Sequence, residues 1–261
     1  MISLTTADIN AWIVAFFFPL TRILALLAAA PPFNNAALSM RVRLTLGIAI
    51  ALAITPALPP MPPFEPASGI GLWILAQQLL IGFSMGFAMR LVFSAIDMAG
   101  NLIATQMGLG FATFYDPQNT AQTPVISEFI GLLATLIFMS INGHLLLLAT
   151  LMQSFTTIPV GPGLPGSSSW LNLANAGVVV FSSGLLLSLP ILVALLITNV
   201  ALGVLSRAAP QLNLFAVGFP VTLALGFGML LIGLPYMSAP LQQLFEHGLQ
   251  SMLGYFTPPG R

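Results

Sequence analysis

Arg22, Glu128, Asn142 and His144 each fall within a stretch of chain that is otherwise apolar. A cation, a carboxylate and an imidazole inside a membrane are the components of a proton or ion relay. Their distribution argues against a dedicated one. The four are scattered, no Asp/Glu pair accompanies them, and the chain has only 2 histidines, His144 and His247. The favoured reading is that each sits at a helix end or bonds a neighbouring subunit of a larger complex. Arg22 is the most demanding, because an arginine at the centre of a spanning helix costs about 2.5–3.5 kcal/mol on insertion scales. Asp97 is read the same way, as a partner of Arg90 or a helix cap.

Other chemistry lacks its residues. There is no H-E-x-x-H pair for metal-assisted hydrolysis, and the G-x-S-x-G string Gly82-Phe-Ser-Met-Gly86 lies inside an apolar segment, where it reads as a helix-packing face and not as a nucleophile elbow. The phosphate loop G-x-x-x-x-G-K-[ST] is impossible in a chain without lysine. Only Glu246 lies beside a histidine, His247, so no metal-ligand set emerges. With no cysteine, disulfides and thiolate sites are excluded. The expected class is therefore not an enzyme, with no cofactor and no metal. Six basic and six acidic residues leave no net charge, which argues against a nucleic-acid partner.

The elements that would position these groups are membrane helices. Of 261 residues, 57% are hydrophobic and 5% charged, against about 25% charged in a soluble domain, and the mean hydropathy is +1.00. Six apolar segments are read at 11–30, 44–58, 70–93, 125–151, 176–205 and 214–239. The expectation is an all-α integral membrane protein of about six long, kinked helices in one membrane-embedded domain, 1–261. Pro190, Pro220 and Pro235 fall inside segments and predict bends. Gly82-Phe-Ser-Met-Gly86 is a small-xxx-small face for close helix packing. At 241–256, Leu241, Leu244, Phe245, Leu249 and Met252 lie opposite Gln242, Gln243, Glu246 and His247, as in an amphipathic helix. Asp8 and the absence of a basic start make a signal peptide unexpected. Arg41, Arg43, Arg90 and Arg207 flank the loops after segments one, three and five, which by the positive-inside rule places both termini outside.

Two loops are unusual. Gln106-Met-Gly-Leu-Gly-Phe-Ala-Thr-Phe-Tyr-Asp-Pro117 carries glycines, aromatics and a methionine where polar turn residues are customary. Gly108 and Gly110 free the backbone around Leu109. Met107, Phe111, Phe114 and Tyr115 supply apolar bulk that water would not tolerate. Such a loop is either a buried re-entrant packing element or a deformable closure over a pore that gates by excluding water. The second loop is Ser206-Arg-Ala-Ala-Pro-Gln-Leu-Asn213, in which Arg207, Pro210, Gln211 and Asn213 read as structural: a helix stop flanked by hydrogen-bonding groups.

With these loops in view, the chain resembles the FliR/SctT family of type III secretion export-gate proteins, in its flagellar branch. The likeness runs over nearly the whole length. It includes Pro19-Leu-Thr-Arg-Ile-Leu-Ala-Leu26, Arg41-Val-Arg-Leu44, both loops, Asn142-Gly-His-Leu145 and Gly218-Phe-Pro220. What the resemblance implies is a subunit that joins FliP-like and FliQ-like proteins, with an FlhB-like protein associated. Together they form the inner-membrane channel of the flagellar basal body, through which unfolded flagellar proteins pass. It further implies bent helical hairpins, and a plug at Gln106 to about Gln122 with Phe111 and Phe114 facing the lumen. Two rivals stand beside this reading: a virulence injectisome subunit of the same family, and a secondary transporter of a small solute. The transporter would require paired broken helices in an internal repeat, and no convincing repeat is present.

Overall fold

The computed structural model describes residues 6–34, 38–59, 65–111, 125–163, 165–209, 211 and 214–256. Among the described residues there is no strand. There are eight α-helices: α1 (Thr6–Ala29), α2 (Met40–Ile54), α3 (Gly69–Gln106), α4 (Val125–Ser140), α5 (Gly143–Thr157), α6 (Ser167–Asn175), α7 (Val178–Ala208) and α8 (Leu214–Gly254). Five helical stretches are long and apolar enough to cross a membrane, or six if the bent pair α4–α5 is one span. The chain is thus the all-α, multi-pass membrane protein that its composition predicts. Hydroxyls are hidden inside these helices by donation to the carbonyl one turn earlier. Thr21 donates to Phe17 O at 2.8 Å, Ser84 to Leu80 O at 2.7 Å and Thr198 to Ala194 O at 2.9 Å.

The contacts divide the chain into two compact units. The first comprises Met1–Leu91, Asn142–Ala176 and Phe245–Arg261. Its organising contact is α3 on α1. Gln78, Gly82 and Gly86 recur every fourth residue and so share one face of α3. A β-carbon at Gly82 would overlap the carbonyl oxygen of Arg22 and approach Ala25 Cβ to 2.9 Å. One at Gly86 would come within 2.5 Å of Ala29 Cβ and 2.8 Å of Leu26 O. The small-xxx-small pair therefore permits backbone-to-backbone approach. Phe18, Ile23, Leu26, Leu27, Ile74, Ile81, Met85 and Met89 are fully buried around it. Ser68 starts α3 by accepting the Gly71 N–H on its hydroxyl at 3.1 Å. Trp170 of α6 meets Phe256 edge to face, centroids 5.7 Å apart.

The second unit comprises Val92–Ile141 and Gly177–Leu244. Here too glycines allow close approach. A β-carbon at Gly100 of α3 would overlap Ser127 Cα in α4, and one at Gly184 of α7 would stand 2.9 Å from Ala95 O. Phe93 and Phe138 meet edge to face at 6.0 Å. Most of α7 presents large apolar side chains outward, Leu186, Leu196, Ile197 and Val200 among them. In water such a surface would be untenable; in a bilayer or a membrane complex it is ordinary.

Several sequence boundaries need correction. Segment 70–93 continues to Gln106, because the polar residues after Phe93 interrupt hydropathy without interrupting helix. Segment 125–151 is two helices, Val125–Ser140 and Gly143–Thr157, with a break between them. Asn142 there takes the left-handed conformation, φ 56°, which asparagine tolerates. The helix runs unbroken through Pro190 in α7 and through Pro220, Pro235 and Pro240 in α8. The amphipathic stretch 241–256 is mostly the end of α8 and not a separate element. Its polarity is as expected: Leu241, Phe245 and Met252 are fully buried, whereas Gln242, Gln243, Glu246 and His247 are exposed.

Substituting Gly82 with valine should separate α3 from α1 and cost about 1–3 kcal/mol. Gly228→Val, where a β-carbon meets nothing, should be far milder. Thermal unfolding of the purified membrane protein compares the two, and equal losses would remove the close-approach account.

Candidate functional site

Two constructions stand out, one in each unit. In the first, Arg22 of α1 is completely buried. Its Nε donates to Gln78 Oε1 at 2.8 Å, Nη1 to Ser154 Oγ at 3.0 Å and Nη2 to the carbonyl oxygen of Ile158 at 2.9 Å. The guanidinium carbon lies 4.2 Å from the centroid of the Phe155 ring, a cation–π contact. Ile158 closes the C-terminus of α5, where helical carbonyls lack donors and the dipole is negative. Arg22 is thus a capping cation for α5 supplied by α1. Ser154 completes its own bonding by donating to Leu151 O at 2.6 Å. Beside it, Gln77 Nε2 donates to Pro162 O at 3.1 Å, tying the turn after α5 to α3.

This corrects one expectation: the partners of Arg22 belong to its own chain and are all neutral. None of its hydrogen bonds goes to Glu128, Asn142 or His144. Glu128 is exposed in the first turn of α4, where the helix dipole favours a carboxylate. Asn142 is exposed at the α4–α5 break. His144 is half-buried, and its Nδ1 has no hydrogen-bond partner. Asp97 is an exposed residue inside α3, not a cap, and its backbone carbonyl accepts from Ser127 Oγ at 3.0 Å.

The second construction begins where α3 ends. Met107 is fully buried, and its carbonyl accepts from Thr222 Oγ1 of α8 at 3.2 Å. Its side chain occupies the space above Gly226: a β-carbon there would come within 2.6 Å of Met107 Cγ and 2.8 Å of its sulfur. Gly108 then reverses the chain with φ 85°, a conformation costly for any residue with a side chain. A short 3-10 turn, Leu109–Phe111, follows. A β-carbon at Gly110 would meet nothing within 4 Å. Phe114 and Tyr115 lie outside the described residues, as do Pro210 and Asn213. Arg207 is exposed in the last turn of α7, a favourable place for a cation, and Gln211 is exposed after it.

The family model described as bacterial export proteins, family 1, matches residues 13–248. The chain belongs to this family. Its relatives include the flagellar biosynthetic protein FliR of Pectobacterium carotovorum subsp. carotovorum, 44% identical over 94% of both chains. The FliR of Escherichia coli (strain K12) is 40% identical over the same shares. The FliR of Bacillus subtilis (strain 168) is 32% identical over 67% of this chain and 69% of that one. Membership in a family of export proteins fits the expectation that the chain is not an enzyme. Sequence reasoning overlooked Gln77, Gln78, Ser154, Thr222 and Gly226. The readable signal was Gln77-Gln78, two amides adjacent in the apolar run of α3. Thr222 and Gly226 carry no such signal, because a threonine and a glycine four apart in a membrane helix suggest only packing.

Arg22→Ala should destabilise the protein by about 2–4 kcal/mol, since three acceptors lose their donor in a buried site. Arg22→Lys should restore only part, because an ammonium cannot present the planar fork. Combining Arg22→Leu with Gln78→Leu should cost less than the two single changes together. Strict additivity in thermal unfolding of the purified protein would contradict the shared node.

Proposed function

We infer that this chain is a subunit of the flagellar protein-export apparatus, a multi-pass protein of the bacterial inner membrane that conducts and does not catalyse. The observation that carries this is the family match over residues 13–248, joined by flagellar relatives matched over 94% of the chain. In the finer reading, the subunit forms a single membrane-embedded export-gate domain. It assembles with FliP-like and FliQ-like subunits, and an FlhB-like subunit associates with them. Unfolded flagellar proteins pass through the resulting channel. The arginine distribution supports periplasmic termini.

The stretch from Gln106 to about Gln122 is the resting closure. Its described end supports this role in three ways. Met107 is seated in a glycine gap, so an adaptable thioether fills the contact where a rigid side chain would lock it. A single side-chain hydrogen bond from α8, donated by Thr222, joins the Met107 and Gly108 N–H bonds to α3 in holding the backbone there. Gly108 and Gly110 then provide the freedom for the following segment to yield and return. Phe111, Phe114 and Tyr115 supply the apolar seal, and exclusion of water makes it tight to ions. Arg207, Pro210, Gln211 and Asn213 hold the turn between α7 and α8. Arg22, Glu128 and His144 serve structure and not proton transfer.

Copurification tests the assembly: tagged chain should bring down FliP-like and FliQ-like proteins from membranes, and recovery of the chain alone would defeat the reading. Two sets of changes test the closure. Phe111→Ala with Phe114→Ala, and separately Gly226→Val, which displaces Met107, should admit ions or small solutes while secretion persists. An unchanged seal in both strains, measured by single-channel conductance, would remove the plug assignment.

A further inference from the structure

The second half of α3 carries a row of polar side chains to which neither the Arg22 node nor the closure assigns a role, although the Asp97 carboxylate stands against α4, where a β-carbon at Gly131 would come within 3.3 Å of Oδ1. Ser94, Asp97, Asn101 and Thr105 recur at intervals of three and four residues, so they form one stripe about 17 Å long. Gln106 extends it to the turn at Met107. The opposite face, Ala95, Ile96, Ala99, Ile103 and Ala104, is fully buried. The stripe is partly or fully exposed and lines a groove of about 470 Å³, to which Met98 and Leu102 of α3 and Leu192 of α7 contribute apolar side chains. The Asp97 carboxylate has no hydrogen-bond or ionic partner among the described residues. Thr105 spends its donor on Asn101 O at 2.8 Å, leaving lone pairs toward the groove.

Lipid does not fit this surface, because an unpaired carboxylate and an amide facing hydrocarbon have no partners there. Water and peptide groups do fit. The row alternates donors and acceptors at a spacing that an extended backbone could meet in passing. Short side chains and a single charge offer no deep pocket to retain it. The groove also leads somewhere specific: its lower end is Gln106, the residue before the seated Met107. We propose that this stripe is the hydrated wall of the export path immediately ahead of the closure, and that its ligand is the backbone of a polypeptide in transit. The proposal rests on the export reading above.

The chain has no cysteine, so single cysteines report without background. Ser94→Cys, Asn101→Cys and Thr105→Cys are introduced into the intact export apparatus in motile cells, with Leu186→Cys on the outward face of α7 as control. The probes are a small water-soluble maleimide and an export substrate stalled by a folded C-terminal fusion, carrying one cysteine in its trapped segment. The expected result is labelling of all three positions in the idle apparatus, loss of labelling when the stalled substrate fills the path, and disulfide capture of that substrate. Leu186→Cys should capture nothing. No labelling in the idle state would mean that a partner subunit covers the stripe. Labelling indifferent to the stalled chain, without capture, would mean that the stripe faces bulk water. Either outcome overturns the proposal. Phe111→Cys separates this failure from failure of the export reading: capture there without capture at the stripe rejects only the stripe, whereas capture at neither rejects the conduit itself.

Discussion

A guanidinium buried among apolar helices must be satisfied from within the protein, and the way Arg22 is satisfied governs much of the first unit. Its three donors reach an amide on α3, a hydroxyl on α5 and the carbonyl that terminates α5. Among the described residues, no carboxylate neutralises it. The charge is instead balanced by partial charges: the negative end of a helix dipole and the face of the Phe155 ring. Such an arrangement works only if distances are short and fixed. Gly82 supplies that, because the backbone of α3 rests against the carbonyl of Arg22 itself, and Gln78 lies one turn away on the same face. The glycine stripe and the arginine are one device. Either alone would be a liability: a gap between helices in one case, an unpaired cation in the other.

The helical membrane class was readable because hydropathy over long windows is a sum over many residues, and errors at single positions cancel. Boundaries depend on single residues and were less readable. α3 outlasts its apolar segment because Ser94, Asp97 and Asn101 are polar on one side only, which a window average reports as an end. The break at Asn142-Gly143 was present as a turn dipeptide, but the apolar residues on both sides hid it. Pro190 and Pro220 predict bends, and the helices run on through both. Proline removes one donor and adds a clash, and in lipid the alternative of exposing further backbone groups is worse.

The sites were legible in an uneven way. Arg22 announces itself by composition, yet its partners do not. Ser154 is one hydroxyl among many, and a backbone carbonyl such as that of Ile158 leaves no mark in a sequence. Met107 and Gly108 were readable because glycine and methionine in a loop between membrane segments are uncommon. Their seat was not, because Thr222 and Gly226 are distant in sequence and ordinary in type. The general limit is that sequence identifies the demanding residue, and only coordinates identify the residue that answers the demand.

The two constructions differ in how readily they can yield. At Gly82 and Gly86 the contacts are between backbones, which cannot yield without moving a helix. At Gly226 the contact is with a methionine side chain, which has three rotatable bonds and no preferred shape to lose. Withdrawing Met107 exposes one apolar side chain, worth about 1.5–3 kcal/mol, and breaks one neutral hydrogen bond, worth about 0.5–1.5 kcal/mol net. An unseating free energy of a few kcal/mol leaves Met107 seated nearly all the time. The same arithmetic explains why the anchor is methionine and not phenylalanine. A rigid ring above a glycine would fit in one pose only, whereas a thioether can re-enter along many routes.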